Sequence, residues 1–270
     1  MRKSLLAAAV MGVSFTASPA MAEETATAAA EPTSPHTVTF NIGLTSNYIF
    51  RGTTQTGRRP AIQGGVDYSH ASGFYAGTWG SNISWLSDSQ VDPDGDGVTE
   101  SAYSKSSMEW DIYGGYRSQI GDTDFSYDVG VLQYIYPGDR TTGSGLYNAD
   151  TTELYAGLAY KWLSGKFSYA PTKSAFGFEG RGATYVDLTA TIPVFDTGIN
   201  ALIHVGRQEF GNGPEEFDYT DWKLGGYKSW DNGITVGAYY TDTNIDSAAF
   251  TYGTVESGKE AVTAYIQKTF

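Results

Sequence analysis

Apolar and polar residues alternate with a period of two along most of the sequence after residue 36. Successive side chains of an extended chain point to opposite faces, so this period predicts amphipathic β-strands. In the last such segment, residues 259–270, the largely apolar face carries Val262, Ala264, Ile266, Lys268 and Phe270. The opposite face of this segment is largely polar, and earlier segments separate into two faces in the same way.

Twelve segments follow this pattern, at residues 38–50, 60–68, 74–86, 108–118, 123–136, 151–162, 166–176, 183–194, 199–210, 219–230, 234–245 and 259–270. Short connections alternate with longer polar loops. An even number of antiparallel strands places both chain ends on the side of the short turns. Short turns on one side and long loops on the other are typical of outer-membrane barrels, and strands of about ten residues can cross a bilayer at a tilt.

We therefore predict an all-β fold for residues 37–270, a transmembrane antiparallel β-barrel of about twelve strands with both termini in the periplasm. A soluble β-sandwich is the alternative, but it gives no reason for the regular alternation of short and long connections. If the apolar faces contact lipid, the charged faces point into the barrel. Tryptophans near the strand ends would then lie at the membrane interfaces, namely Trp85, Trp110, Trp162, Trp222 and Trp230.

The first 36 residues differ from the rest in composition. Arg2 and Lys3 precede an apolar run at residues 5–15, and the small-residue site at residues 20–22 follows, which predicts a signal peptide over residues 1–22. A membrane anchor is the alternative, but the apolar run is short for a span. Residues 23–36 are rich in Ala, Thr, Glu and Pro and predict a flexible leader. We expect export to the bacterial outer membrane.

Charge and residue content exclude several classes of function. The formal net charge of −13 argues against nucleic acid as a partner. The chain contains no cysteine, so disulfides and thiolate metal sites are excluded. A lipid-modifying barrel enzyme would need His204 beside a serine, and the spacing indicates no such serine. We predict that the protein is not an enzyme and that His204 is a lumen histidine hydrogen-bonded to its neighbours.

Four stretches resemble the TorF family of porins: residues 46–52 (SNYIFRG), 60–68 (PAIQGGVDY), 73–82 (GFYAGTWGSN) and 109–116 (EWDIYGGY). The similarity is dense over residues 38–118 and looser beyond, although the strand rhythm and Phe270 agree throughout. The resemblance implies a proteobacterial outer-membrane β-barrel. It supplies no substrate and no catalytic residues.

Charged side chains on the predicted inner faces are candidates for a pore lining. They are Arg51, Asp67, Glu109, Asp111, Arg117, Asp128, Glu153, Lys161, Asp187, His204 and Lys223. They could line a water-filled pore, as charged rings do in channels, or pair across the barrel and close it. Twelve tilted strands give a backbone diameter of about 24 Å, which leaves room for a narrow pore once side chains are added.

The third predicted loop contains the motif Asp92-Pro93-Asp94-Gly95-Asp96-Gly97, which matches the opening of a calcium loop. Carboxylates at alternate positions can converge on a hard cation while glycine permits the turn. The twelfth position holds Tyr103 in place of glutamate, and Glu100 is the nearest substitute. The hypothesis is a calcium site at Asp92, Asp94, Asp96 and Glu100. A solvated acidic loop is the alternative, and no other cofactor is expected.

These patterns together predict a narrow outer-membrane channel for passive diffusion of small solutes or ions, with a weak cation preference from its acidic loops. The alternatives are a non-conducting structural or adhesive barrel and a lipid-modifying enzyme. The expected partners are outer-membrane lipid, lipopolysaccharide near Arg207, and the barrel-assembly machinery acting on the last strand with Phe270.

Overall fold

The computed structural model describes residues 34–212, 215–246 and 248–270. The predicted signal peptide, residues 1–22, lies outside the described residues, as does the predicted leader up to residue 33. Over the described part, no helix is long and apolar enough to cross a membrane.

The described residues form one closed antiparallel barrel of twelve strands, which confirms the predicted all-β barrel and its strand number. The strands are β1 (His36–Thr45), β2 (Ala61–His70), β3 (Phe74–Asn82), β4 (Met108–Gln119), β5 (Phe125–Ile135), β6 (Thr151–Tyr160), β7 (Leu163–Ala170), β8 (Ala183–Val194), β9 (Ile199–Glu209), β10 (Tyr219–Ser229), β11 (Ile234–Thr243) and β12 (Ala261–Thr269). Each strand pairs with its neighbours in sequence, and β12 pairs with β1 to close the barrel. The start of β1 and the end of β12 therefore lie at the same rim, which we call the turn end.

The outer face of the barrel is apolar and exposed. On β1 the side chains of Val38, Phe40, Ile42 and Leu44 are each about half exposed, and every other barrel strand contributes apolar residues to the same surface. Exposed apolar surface of this extent is the reverse of what a soluble domain presents and matches a barrel whose solvent is lipid. Among the predicted interfacial tryptophans, four are exposed: Trp110, Trp162, Trp222 and Trp230.

The long loops at the opposite rim, the long-loop end, contain short elements of their own. Two-residue strands pair as Ile49–Phe50 with Thr53–Thr54, Gln90–Val91 with Glu100–Ser101, Tyr103–Ser104 with Asp139–Arg140, Ser174–Ala175 with Phe178–Glu179, and Thr251–Tyr252 with Val255–Glu256. One α-helical turn spans Trp85–Asp88, and 3-10 turns span Glu215–Phe217 and Ala248–Phe250. A third 3-10 turn, Phe195–Thr197, lies in a connection at the turn end.

The structure corrects several strand boundaries. The first strand ends at Thr45 instead of residue 50, because the chain then folds into the barrel and buries the next apolar residues there. The third strand ends at Asn82 instead of residue 86. Trp85 was predicted to lie at the membrane interface, and this is wrong: it is buried, because the helical turn Trp85–Asp88 packs into a core at the long-loop end. The seventh strand begins at Leu163, so the preceding turn comes earlier than predicted.

Candidate functional site

The connection between β1 and β2, residues 46–60, folds into the barrel, and we call it the inward loop. All of residues 47–56 are buried. Its aromatic side chains belong to an apolar core at the long-loop end, which includes Tyr48, Phe50, Trp79, Trp85, Leu132 and Tyr134. Because these residues come from the loop and from the barrel wall together, the inward loop is an integral part of the packed interior.

The tip of the inward loop is Arg51, whose guanidinium reaches the wall formed by β6, β8 and β9. It donates hydrogen bonds to Glu153 Oε2 at 2.7 Å and to Gln208 Oε1 at 2.8 Å. The guanidinium carbon lies 4.2 Å from the centroid of the Tyr185 ring. Arg51 and Glu153 are both buried, so the ion pair is shielded from water. Burial lowers the pKa of Arg51, but the charge and hydrogen bond of Glu153 together with Tyr134 and Tyr185 outweigh this effect, and the pKa is raised.

The loop reverses direction at Arg51 and Gly52, which have positive φ angles of 44° and 79°. Gly52 lies against β10 and β11: a Cβ atom there would be 2.4 Å from Thr243 Cγ2 and 2.6 Å from Asp221 Cβ. Only a residue without a Cβ atom fits both the backbone conformation and the available space. The tip therefore contacts β10 and β11 through Gly52, while the Arg51 side chain reaches β6 and β8 on the opposite side of the barrel from β1.

The base of the inward loop is held by Tyr48 and Thr54. Tyr48 Oη donates to Glu109 Oε1 of β4 at 2.8 Å, and burial raises the pKa of Tyr48 well above its usual value, so this phenol stays protonated. Thr54 Oγ1 donates to Asn47 Oδ1 at 2.5 Å, and the Thr54 N–H donates to the carbonyl of Ser257 at 2.9 Å. Two of these contacts leave the loop, so the barrel wall and the last long loop both hold it.

The wall beside the inward loop contains buried polar groups that lack partners. Both carboxylate oxygens of Asp111 and both side-chain polar atoms of Gln63 make no hydrogen bond within the described part of the chain. Buried polar groups are nearly always hydrogen-bonded to protein or to ordered water. Asp111 and Gln63 therefore place polar side-chain groups on the inner wall beside the inward loop.

Toward the turn end, tyrosine–carboxylate hydrogen bonds run along the inner wall, each joining strands that are two apart in the barrel. Tyr75 Oη donates to Asp128 Oδ1 at 2.5 Å, and Tyr113 Oη donates to Asp67 Oδ1 at 2.5 Å. The Arg117 guanidinium lies 4.9 Å from the Tyr75 ring centroid. This half of the lumen combines both signs of charge with tyrosine hydroxyls, and its described residues form no apolar core cluster like the one at the long-loop end.

His204 is engaged by both of its ring nitrogens, as predicted for a lumen histidine. Its Nδ1 lies 2.8 Å from Thr189 Oγ1, and its Nε2 lies 3.2 Å from Asp221 Oδ1 and 3.0 Å from Tyr185 Oη. Lys223, directly opposite on β10, places its ammonium 4.7 Å from the Tyr239 ring centroid. The imidazole is thus held by contacts within hydrogen-bonding distance of side chains on β8 and β10.

The structure places most of the predicted lining residues on the inner faces of strands, and two of them lie in connections between strands. Arg51 is the buried tip of the inward loop, beyond the predicted first segment at residues 38–50. Lys161 lies in the turn after β6 with a positive φ of 55°, and its ammonium is 3.6 Å from Asp124 at the turn end. Sequence reasoning missed the partners of Arg51, which are Gln208, Tyr185 and Phe176. The connection between the predicted segments 38–50 and 60–68 already begins at Arg51, but no local pattern indicates which distant side chains it contacts.

The acidic loop brings three of the predicted calcium ligands together. Ligand oxygens of Asp92, Asp94 and Asp96 lie within 4.8 Å of one another, and all three residues are exposed. The two carboxylate oxygens of Asp92 accept hydrogen bonds from the N–H groups of Gly95 and Gly97. Glu100 is in a two-residue strand and is not a member of this group.

The residues define a class of protein, a closed antiparallel barrel with an apolar outer face and a charged interior. A family model described as "Bacterial protein of unknown function (Gcw_chp)" matches residues 29–270, and the chain belongs to this family. The comparison with curated proteins returned no match.

Several solved structures resemble the barrel. An outer membrane channel from Pseudomonas putida F1 has a TM-score of 0.48 at 12% identity, covering 90% of this chain and all of the other. The KdgM porin has a TM-score of 0.47 at 9% identity, covering 86% of this chain and 98% of the other. The NanC porin has a TM-score of 0.46 at 11% identity, covering 87% and 99%.

Proposed function

We propose that the protein is an outer-membrane channel for small solutes or ions, closed at the long-loop end by its inward loop in the conformation described. The observation that carries the proposal is the distribution of side chains on the closed barrel. An apolar outer face suits lipid, and a charged interior suits water and ions. In this orientation the turn end faces the periplasm.

The proposed pathway is narrow and has a weak cation preference, which rests on the acidic loop at residues 92–97 of the long-loop end. Negative charge at the mouth of a pore raises the local concentration of cations. The lumen itself carries both signs of charge, for example Asp128 and Arg117. Passage past the tip of the inward loop requires that Arg51 leave Glu153 and Gln208, so we expect rare openings.

Planar-bilayer recordings of the purified, untagged protein test this function. The wild-type protein should show infrequent, small conductance steps, and Arg51→Ala should increase the open time at least tenfold. Reversal potentials in a salt gradient should favour cations. An anion preference would overturn the proposed selectivity, and a complete lack of conductance in both proteins would overturn the channel.

A non-conducting structural barrel is the second candidate, because the inward loop closes the long-loop end together with an apolar core. The planar-bilayer recordings distinguish a non-conducting barrel from a channel.

For the lipid-modifying alternative, a lipid-hydrolysis assay should show no activity above that of a His204→Ala variant. The resemblance to the TorF family of porins supports the channel, and we propose that the chain is related to that family. Contacts with lipopolysaccharide and with the barrel-assembly machinery are also part of this proposal.

We also propose that Asp92, Asp94 and Asp96 bind calcium in the acidic loop. Limited proteolysis in calcium or chelator should show calcium-dependent protection of residues 92–97, because an ordered ion would restrain the exposed chain. The double variant Asp94→Asn/Asp96→Asn should lose the protection, whereas Glu100→Gln should keep it. Identical digestion with calcium and with chelator would contradict the site.

A further inference from the structure

Two of the three histidines of the chain face each other at the turn end. His36 opens β1 and His70 ends β2, and the two residues are direct partners in the β1–β2 ladder. Their ring centroids are 5.1 Å apart, and the ring planes are inclined by 55°. His36 is exposed and His70 is partly exposed, so an aqueous ion can reach both rings. Neither residue belongs to the predicted lumen lining or to the proposed calcium loop.

Each ring already has a hydroxyl at its Nδ1 atom. Tyr68 Oη lies 2.7 Å from His36 Nδ1, and Ser72 Oγ lies 2.6 Å from His70 Nδ1. A histidine that binds a metal through Nε2 commonly donates its Nδ1 proton to an oxygen, which orients the ring. The N–H of Ser72 also lies 3.1 Å from His70 Nδ1, so metal binding shifts His70 to its Nδ1–H tautomer and gives up that contact.

The spacing of the rings agrees with joint coordination of one ion. With metal–nitrogen distances of about 2.0 Å and a tetrahedral angle, two imidazole rings sharing an ion have centroids about 5 Å apart. Neutral imidazole is a preferred ligand for Zn²⁺, Cu²⁺ and Ni²⁺, whereas the carboxylates of the acidic loop suit calcium. We propose that His36 and His70 bind a divalent transition-metal ion through their Nε2 atoms, with water completing its coordination.

The ion would join two parts of the chain at the start of the barrel. The carbonyl of Pro35 already accepts a hydrogen bond from the N–H of Ala71 at 2.8 Å, just beyond the histidine pair. A metal bridge would add a second link between the chain entering β1 and the turn after β2. Because the unfolded chain does not hold the two rings together, the ion stabilises the folded barrel.

Isothermal titration of the folded, untagged protein with ZnCl₂ in detergent tests the site. The protein is first treated with chelator, and the titration contains excess calcium so that the acidic loop does not take up zinc. We expect one Zn²⁺ per chain and a raised melting temperature in zinc. His36→Ala and His70→Ala should each weaken binding at least tenfold.

His204→Ala is the matched control, because it removes the third histidine, which lies in the lumen. It should bind Zn²⁺ with unchanged affinity and stoichiometry. Heat-modifiable electrophoresis shows that each variant is a folded barrel before titration. The proposal is overturned if the wild-type protein binds no zinc, or if the binding survives in both the His36 and the His70 variants. Neither result depends on whether the barrel conducts.

Discussion

Arg51 shows how one buried side chain can hold a loop across a barrel. Its charge is compensated by Glu153, its second donor is used by Gln208, and its flat face lies on the ring of Tyr185. A guanidinium suits this position because it offers a planar fork of donors and can stack on an aromatic ring. Removing it would leave Glu153 as an unpaired charge in a buried place.

At the residue scale we predict that Arg51→Ala destabilises the folded barrel by about 3–5 kcal/mol, the usual cost of breaking one side of a buried ion pair. Urea unfolding monitored by tryptophan fluorescence measures this change. Arg59→Ala is the matched control in the same loop, since Arg59 pairs with Asp88 on the exposed surface. It should cost no more than about 1 kcal/mol. Equal effects of the two substitutions would contradict the role given to Arg51.

At the scale of the element, the inward loop differs from what its sequence pattern predicts. Alternation continues through Tyr48 and Phe50, so the pattern indicates a longer strand. In the structure these residues are buried by an apolar core that other loops contribute to. Alternation indicates that one face of a segment is shielded from water. It does not distinguish burial in a protein core from contact with lipid. The core that decides between them is assembled from segments distant in sequence.

Substitutions at two glycines of the inward loop test whether the tip must fit closely against the wall. Both Gly52 and Gly57 have positive φ, but a Cβ at Gly57 would have no neighbour closer than 3.4 Å, whereas at Gly52 it would meet β10 and β11. We expect Gly57→Ala to cost about 1 kcal/mol of backbone strain and to leave conductance unchanged. Gly52→Ala should displace the tip and raise the open time of the channel.

The measurement is the same bilayer recording, supported by proteolysis at the long-loop end. If Gly52→Ala and Gly57→Ala behave alike, the close contact between the tip and the wall is not what keeps the lumen closed.

For the whole molecule, closure depends on the seam between β1 and β12. Residues 41–45 pair with residues 265–269 there, whereas the ladder between β1 and β2 covers the full length of β1. Phe270 extends this short seam: its N–H donates to the carbonyl of Phe40 at 2.9 Å, and its carbonyl accepts from the N–H of Phe40 at 3.3 Å. A closed barrel has no free strand edge, so an incomplete seam would expose the edges of both β1 and β12.

We therefore predict that deleting Phe270 lowers the folded fraction after refolding into vesicles, because two backbone hydrogen bonds of the seam are lost, each worth about 1 kcal/mol. Heat-modifiable electrophoresis measures the folded fraction. Phe270→Ala keeps the backbone pair and should refold like the wild-type protein, although assembly in cells should suffer if the side chain is read by the assembly machinery. Normal refolding of the deletion would show that the seam is complete without residue 270.

The sequence by itself determined the number of strands, their order, the short and long connections, and which face of each strand is apolar. These follow from local alternation and from turn residues, which a single chain displays directly. It also indicated most of the charged residues of the interior, because they alternate with the apolar face.

Only the tertiary structure decided that the inward loop packs into the core at the long-loop end, that Arg51 pairs with Glu153, and that His36 faces His70. Each of these facts joins positions far apart in sequence, and their distances depend on strand register and on barrel closure. A pattern within one segment contains no such information, since the same alternation is compatible with many pairings of the charges that it places inside.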